Sequence, residues 1–489
     1  MSILFVVNKP KNWPLHIPGV EVVDARAYLA DPEFSQIRKA KVFNLCRSYR
    51  YQTTGYYVSL LAEARGHRPI PSILTIQDMR TQTLLRVVSE DLEDLIQKSL
   101  ASVRPNEFTL SIYFGRNVAK KYDRLSLRLF NLFQAPLLRA HFVKHRSGWQ
   151  LQTIGPIGVS DIPESHRPLV VEYAKEFFGG RRTRVRRPAT YRYDLAILHN
   201  PDELNAPSDK RALDRFTRAA ENLGLGVDFI TKNDYARLSE YDALFIRETT
   251  AVNHHTYRFA RRASAEGIVV IDDPESIIKC SNKVYLAELL TRHRIPVPKT
   301  QVIDRERAPE FVASIPLPCV LKEPDSSFSM GVIKVETPEA LTAALADMFE
   351  RSELVIAQEF IPTEFDWRVG IVDRRPLYVC RYYMARHHWQ IIKRDRIGRL
   401  HEGNADTLAV EDAPATVVRT ALRAANLIGD GFYGVDLKQV GRRCVVMEVN
   451  DNPSIDGGVE DEVLKEELYD TVMRTFLTRI ERSKKNGKS

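Results

Sequence analysis

One stretch, GFYGVDLKQVGRRCVVMEVNDNPSI over residues 431–455, constrains the fold more than any other in this chain. Two strands are expected, Phe432–Gln439 and Arg443–Val449, joined by a tight turn at Gly441. Side chains two apart on a strand share a face, so Glu448 and Asn450 point the same way. Antiparallel pairing then brings Asp436 beside them. Three hard oxygen donors on one surface suit Mg²⁺, which takes one or two carboxylates and completes its octahedron with water and substrate phosphates. The plain alternative is a solvated hairpin edge. An acid interrupting Val-Val-Met-Glu-Val argues against it, because an unpaired charge beside a core strand is costly. The arrangement points to an enzyme that handles a nucleoside triphosphate.

At 489 residues the chain has room for roughly three domains of about 150 residues each. Its 44% hydrophobic and 27% charged residues are ordinary for globular proteins. No apolar run approaches the length of about 18 residues that a membrane helix needs, so no membrane partner is expected. MSILFVVNKPKNWP lacks a basic start and a cleavage site, and is read as a first strand, Ile3–Val7, rather than a secretory leader. Cys46, Cys280, Cys319, Cys380 and Cys444 are scattered without CxxC or Cys/His spacing, so they are expected as core residues in a reducing cytoplasmic setting. The net charge of +8 attracts anions. Much of it sits in RRTRVRRP at 181–188, read as a solvated linker rather than a nucleic-acid site.

Three blocks follow from the pattern. Residues 1–180 form an N-terminal domain of unknown role, with helices expected around 58–65, Ser89–Leu100 and 165–178 and a strand at FTLSIYFG. Residues 191–275 alternate strand and helix, which argues for a small parallel α/β sheet. Its first helix carries Leu213, Phe216, Ala219, Ala220 and Leu223 on one face and is closed by Gly224 and Gly226. Residues 276–482 read as α+β. Strands are expected at Pro318–Lys322, Gly331–Val335, Val355–Phe360, Arg368–Val372, Leu377–Tyr383 and Trp389–Lys393, and helices at Pro338–Phe349 and Ala413–Leu427. Residues 483–489 are expected to be a disordered tail.

Several residues in the third block suit phosphate chemistry. Lys283 opens a helix capped by Asn282 or Ser281, where a phosphate is already attracted by the helix end. Lys322 ends an apolar strand and starts the loop SSFSMG, whose backbone N–H groups can fold over phosphates. Exposed backbone in LVIAQEFIP can read an adenine edge, with Glu359 near the ribose or amine. Asp366 and Arg368 stand two apart on one strand and can orient and brace a terminal phosphate. Arg381 and Arg386 can stabilise charge developing on an acyl phosphate. The pairs His254–His255 and His387–His388 are read as structural.

Taken together, NK at 282–283, VLK at 320–322 with SSFSMGV, QEFI at 358–361, DWRV at 366–369 and GVD…MEVNDNPS resemble the ATP-grasp superfamily, and within it the RimK-like carboxylate–amine ligases. The resemblance covers about 191–482. It implies an ATP-grasp fold, a small parallel α/β pre-domain with two α+β subdomains, to which an N-terminal domain like that fused to some RimK-like proteins is added. It implies that Lys283 and Lys322 contact phosphates, that Gln358, Glu359, Phe360 and Ile361 hold adenine, and that Arg368 contacts phosphate or acyl phosphate. Ser327, Ser329 and Gly331 of the loop, and Asp366, complete the nucleotide site. Asp436, Glu448 and Asn450 would hold two Mg²⁺, with Mn²⁺ as an alternative. His401, Gly403 and Asn404 match only loosely the Asn-rich segment that such proteins carry before the hairpin.

The expected reaction is ATP-dependent amide formation through an acyl phosphate, adding an amino acid such as glutamate to a peptide, a protein tail or a small acid. The expected partners are ATP, the acid and the amine, with no nucleic acid, in a homo-oligomer. The competing readings are a nucleotide sensor that binds ribosome or RNA without turnover, and a glutathione-synthetase-like small-molecule ligase. The segment CRSYRYQTTGYY at 46–57, dense in Arg and Tyr, is read either as a surface for substrate or partner recognition or as a helix-capping and packing element.

Overall fold

The computed structural model describes residues 2–13, 17, 20–37, 40–80, 85, 89, 92–146, 148–179, 191–325, 331–386, 388–394 and 400–486. The chain divides into two compact units, Met1–Ala189 with Asn233–Glu240, and Thr190–Lys232 with Tyr241–Ser489. The expected linker at 181–188 lies outside the described residues.

In the first unit, strands β1 (Ser2–Val7), β2 (Glu21–Asp24), β3 (Ala40–Asn44) and β4 (Arg68–Ile70) make a parallel sheet of order β2-β1-β3-β4. The core strands read as unbroken apolar runs, Leu4-Phe5-Val6-Val7 and Val42-Phe43, because both faces are covered. Helix Thr54–Ala64 buries Val58 and Ala62 and ends where Gly66 turns at φ +69°. Strands β5 (Glu107–Tyr113), β6 (Leu137–His145) and β7 (Gly148–Pro156) form a separate antiparallel sheet. Its alternating buried residues close one core with helix Asp123–Phe133. The helix expected over Ser89–Leu100 runs Glu93–Leu100.

The second unit opens with β8 (Tyr193–Leu198), β9 (Leu225–Ile230), β10 (Ala243–Ile246) and β11 (Val269–Ile271), a parallel sheet of order β11-β10-β8-β9. Helix Lys210–Asn222 buries Leu213, Phe216, Ala219 and Ala220 as its stripe requires. Gly224, at φ +79°, ends that helix alone. Gly226, expected as a second terminator, lies inside β9 and pairs with Asp194. The core of this sheet is not its own. Helix Glu466–Asn486 supplies Leu468, Tyr469, Val472, Met473, Phe476 and Ile480 to it, and Val372, Tyr378 and Phe432 join. That helix also runs through residues 483–486, the start of the expected disordered tail.

Strands β12 (Thr300–Asp304), β13 (Cys319–Lys322), β14 (Val332–Val335) and β15 (Leu354–Glu359) form a sheet of order β12-β15-β13-β14. Strands β16 (Phe365–Val372), β17 (Arg375–Tyr383), β20 (Ala405–Leu408), β21 (Phe432–Val440) and β22 (Arg443–Asn450) form a five-stranded antiparallel sheet of order β20-β17-β16-β21-β22. Between them in sequence, β18 (Ile392–Arg394) and β19 (Leu400–Glu402) make a separate ribbon. The strand expected at Trp389–Lys393 starts only at Ile392, because residues 389–391 bend instead. Among the described residues no helix is long and apolar enough to cross a membrane.

Candidate active site

The five-stranded sheet sorts its side chains by strand parity. One face is apolar. Trp367, Val369, Ile371, Val379, Val435, Leu437 and Val449 bury against Val417, Ala421, Ala424 and Ala425 of helix Ala415–Ile428. The other face is polar, and register fixes its members: Arg368 pairs with Asp436, Asp436 with Glu448, and Gly434 with Asn450. The carboxylates of the hairpin therefore stand side by side across β21 and β22. Gly441 makes this possible, turning the chain at φ +57°. A bulge between Asp436 and Leu437 resets the register beyond the pair.

Each polar group on that face has a partner. Arg368 forks onto Asp436, Nε to Oδ1 at 2.6 Å and Nη2 to Oδ2 at 2.7 Å. Asn450 Nδ2 donates to Asp436 Oδ2 at 3.1 Å. Lys438 Nζ reaches Asp366 Oδ1 at 2.5 Å and Thr363 Oγ1 at 2.7 Å. Asn282 caps helix Lys283–Arg292 through the Tyr285 N–H. The cap fixes the first turn, and Lys283 Nζ lies 3.3 Å from Glu448 Oε1.

The electrostatics follow from crowding. Burial pushes the Lys322 ammonium down to about 8; Glu448 opposes this and Lys283 adds to it. Burial alone would raise Glu448, but the charges of Lys283 and Lys322 outweigh it and hold the carboxyl below its usual range. Burial raises Asp366 despite the nearby Lys438. Two lysines and one glutamate thus share a partly desolvated spot, and the two lysines line a narrow cavity of about 20 Å³. Leu286, Leu290, Val297, Ile356 and Val446 give that cavity apolar walls, and Gln358 adds a polar one. Gln358 donates Nε2 to Thr300 Oγ1 at 3.1 Å, while its buried Oε1 has no partner among the described residues.

Two family models match the chain: a RimK-like ATP-grasp N-terminal domain over residues 25–173 and a RimK-like ATP-grasp domain over residues 280–465. The chain belongs to the RimK-like ATP-grasp ligases. A probable alpha-L-glutamate ligase of Cellvibrio japonicus is 27% identical over 45% of this chain and 72% of that protein. One from Vibrio atlanticus is 25% identical over 54% of this chain and 89% of that protein. A RimK domain ATP-grasp protein from Sphaerobacter thermophilus superposes with a TM-score of 0.44 at 18% identity, over 58% of this chain and 98% of that one.

Within this RimK-like ligase, Lys283, Lys322, Arg368, Asp366, Asp436, Glu448 and Asn450 gather on or beside the polar face. Glu359 is held elsewhere: Arg443 clamps both its oxygens at 2.8 Å and pulls the carboxyl down to about 2. It is therefore occupied by a salt bridge rather than turned to a ribose. Phe360 lies under the Lys334 ammonium at 4.4 Å, and Ile361 is buried. Gly331 adopts φ +65°, and a Cβ there would meet the Glu323 carboxylate at 2.8–2.9 Å. Ser327, Ser329 and His387 lie outside the described residues.

Arg381 requires correction. Register pairs it with Trp367 and Asp406, which puts it on the opposite face from Asp436. There its guanidinium forks onto Asp406 and lies over the Phe365 ring. Arg386 sits exposed in the turn after β17. The replacement Arg381→Gln should leave turnover within about threefold of wild type in an ADP-release assay. It should cost about 1 kcal/mol or less in a melt, since the pair it breaks is partly exposed.

Two acids escaped the sequence reading. Asp451 is 6% exposed, has an Oδ2 without a partner among the described residues, and is raised to about 6 by burial. Glu248 is 1% exposed, accepts from His255 Nε2 at 2.5 Å and leaves Oε1 without a partner among the described residues. Asn452 ties them together, its Nδ2 donating to the Glu248 carbonyl at 2.6 Å. The available signal was position. Glu248 follows the carboxyl end of a parallel strand, where α/β sheets place their ligand sites, and Asp451 directly follows Asn450.

Proposed function

We propose that the polar face of the five-stranded sheet binds ATP and activates a carboxylic acid as an acyl phosphate for capture by an amine, glutamate being the favoured amino acid. The convergence of Lys283, Lys322 and Glu448, with both lysines lining one narrow apolar cavity, carries this reading. The walls of this narrow cavity are apolar, and Gln358 Oε1, without a partner among the described residues, is an acceptor suited to a purine's exocyclic amine. The probable alpha-L-glutamate ligases among the relatives support the choice of glutamate.

The hairpin residues fit a divalent cation. Among the described residues no three His, Cys, Asp or Glu side chains gather as a closed metal cage. Two carboxylates and an amide are the partial oxygen set that Mg²⁺ accepts alongside phosphate. Both Asp436 oxygens accept from Arg368, yet a carboxylate has about four lone-pair sites and can bind further. Asp436, Glu448 and Asn450 would hold two Mg²⁺, or Mn²⁺. When bound, the metal neutralises charge on the transferring phosphoryl group.

The chain's own residues do the rest. Lys283 and Lys322 draw the phosphates to the face and release Glu448 from its ion pair as they do so. Arg368 spends Nε and Nη2 on Asp436, leaving Nη1 for the acyl phosphate oxygens. A carboxylate oxygen of the acid attacks the γ-phosphorus and ADP leaves. The amine nitrogen then attacks the acyl carbon and phosphate leaves, taking one oxygen of the acid with it. The free, buried cysteines suit the cytoplasm.

ADP release across a panel of amino acids and acidic peptides tests the proposal. It expects at least one pair to release ADP and form an amide, and Asp436→Asn to abolish both. ATP binding with no ADP release by any pair would overturn it in favour of a sensor.

Lys322 sets a pH dependence. Because its pKa lies near 8, the cation is present below that pH and lost above it. Affinity for ATP, measured by calorimetry, should be flat below about pH 7 and weaken as pH rises through about 8. Lys322→Arg should remove the break, because a guanidinium stays charged.

A further inference from the structure

The first unit holds a cleft that the ligase reading leaves unused. It measures about 550 Å³ and is lined by Arg47, Ser48, Tyr49, Arg50, by Ile76, Met79 and Arg80, and by Ile154–Pro156. Its place in the fold is informative. In the order β2-β1-β3-β4, the chain leaves β1 toward β2 and leaves β3 toward β4 on the other side. The loops after β1 and β3 therefore diverge, and open α/β sheets bind ligands in the crevice formed there. Arg47–Arg50 belong to the loop after β3, and the Arg47 N–H is held by Asn8 Oδ1, just after β1, at 2.8 Å.

This loop is built rather than slack. Tyr49 is buried and donates its hydroxyl to the Asn44 carbonyl at 2.5 Å. Thr53 Oγ1 donates to the Ser48 carbonyl at 3.1 Å, and Asn44 Nδ2 to the Gly55 carbonyl at 2.6 Å. A Cβ on Gly55 would lie 2.8 Å from Cys46 Cβ and 2.9 Å from Tyr49 Cδ1, so glycine is what lets the helix start against the loop.

The charge is one-sided. Three arginines and no acid line the cleft. Arg47 has Asp161 at 3.9 Å, an exposed and weak pair. Among the described residues no hydrogen bond or ion pair engages the side chains of Arg50 or Arg80. Three guanidiniums around one cleft repel each other, which folding gains nothing from and an anion would relieve.

We propose that this cleft is a second ligand site, for a compact acidic ligand carrying at least two negative charges on a partly apolar frame. The guanidinium forks match carboxylates and phosphates alike. Ile76, Met79, Ile154 and Pro156 cover the frame, and the volume admits more than one amino acid. The acidic groups come either from a carboxylate-rich peptide or from a phosphate compound. The inference stands whether or not the second unit is a ligase.

Calorimetry on the full chain with triglutamate and with pyrophosphate, each at low and high salt, tests it. At least one probe should bind wild type, more weakly at high salt, and lose about tenfold or more in affinity in Arg50→Gln/Arg80→Gln. The same double variant should bind AMPPNP as wild type does. Arg50→Lys/Arg80→Lys should fall between, keeping charge but losing the forks. The stronger probe identifies the carboxylate or phosphate source. If the double variant loses its melting transition, the single variants carry the same test. No binding of either probe, or equal binding by wild type and the glutamine variants, overturns the proposal.

Discussion

Replacing Glu448 by Gln should reduce ADP release at least about a thousandfold while leaving the protein folded. The change keeps shape and removes one charge. In the resting site that charge sits 3.3 Å from Lys283, and it opposes the loss of the proton from Lys322. Without it, two lysines share a partly dry spot with no charge to balance them, and the proposed metal position loses one of its two carboxylates. Three functions fail together, so the effect should be far larger than one lost hydrogen bond, for which about tenfold is usual. Initial rates with a competent acid–amine pair check it. A variant within tenfold of wild type would mean that Glu448 touches neither nucleotide nor metal.

Gly370→Ala should be among the most damaging single methyls in the second unit. Gly370 lies in the central strand β16, two residues from Arg368, and a Cβ there would fall inside the ring of Tyr378 on β17. That tyrosine is 1% exposed and cannot swing out. Overpacking of this kind costs about 3 kcal/mol, which lowers Tm by roughly 6–12 °C in a domain of this size. Because the strand would shift at the Arg368–Asp436 fork, activity should fall at temperatures where the variant is still folded. A melt within about 2 °C of wild type would contradict the assignment of Gly370 to a closely packed strand pair.

The hairpin was legible because three signals agree on it: β-branched runs, a Gly turn and the oxygen donors Glu448 and Asn450 two apart on one strand. The Asn282 cap and the parallel sheet of 193–271 were legible for similar local reasons. Arg381 was not. Its type suits acyl phosphate, but its face depends on a register that only the paired strands define. Arg368 with Cys380 is a register pair; Arg381 is one residue off and so faces the other way. Glu359 fails for a different reason: its partner Arg443 is 84 residues distant in sequence. The helix Glu466–Asn486 carries a readable stripe at 468, 469, 472, 473, 476 and 480, and its charged final turns disguise its length. Glu248 and Asp451 had only their positions, after a parallel strand and after Asn450, to mark them in the sequence; their burial shows only in the fold.

The most direct test of the central claim follows an oxygen atom. The acid of a competent pair is labelled with ¹⁸O in its carboxylate and turned over with ATP, Mg²⁺ and the amine. Activation as an acyl phosphate on the Lys283–Lys322–Glu448 face predicts one ¹⁸O in the inorganic phosphate for every amide formed. Amide accompanied by unlabelled phosphate would contradict it.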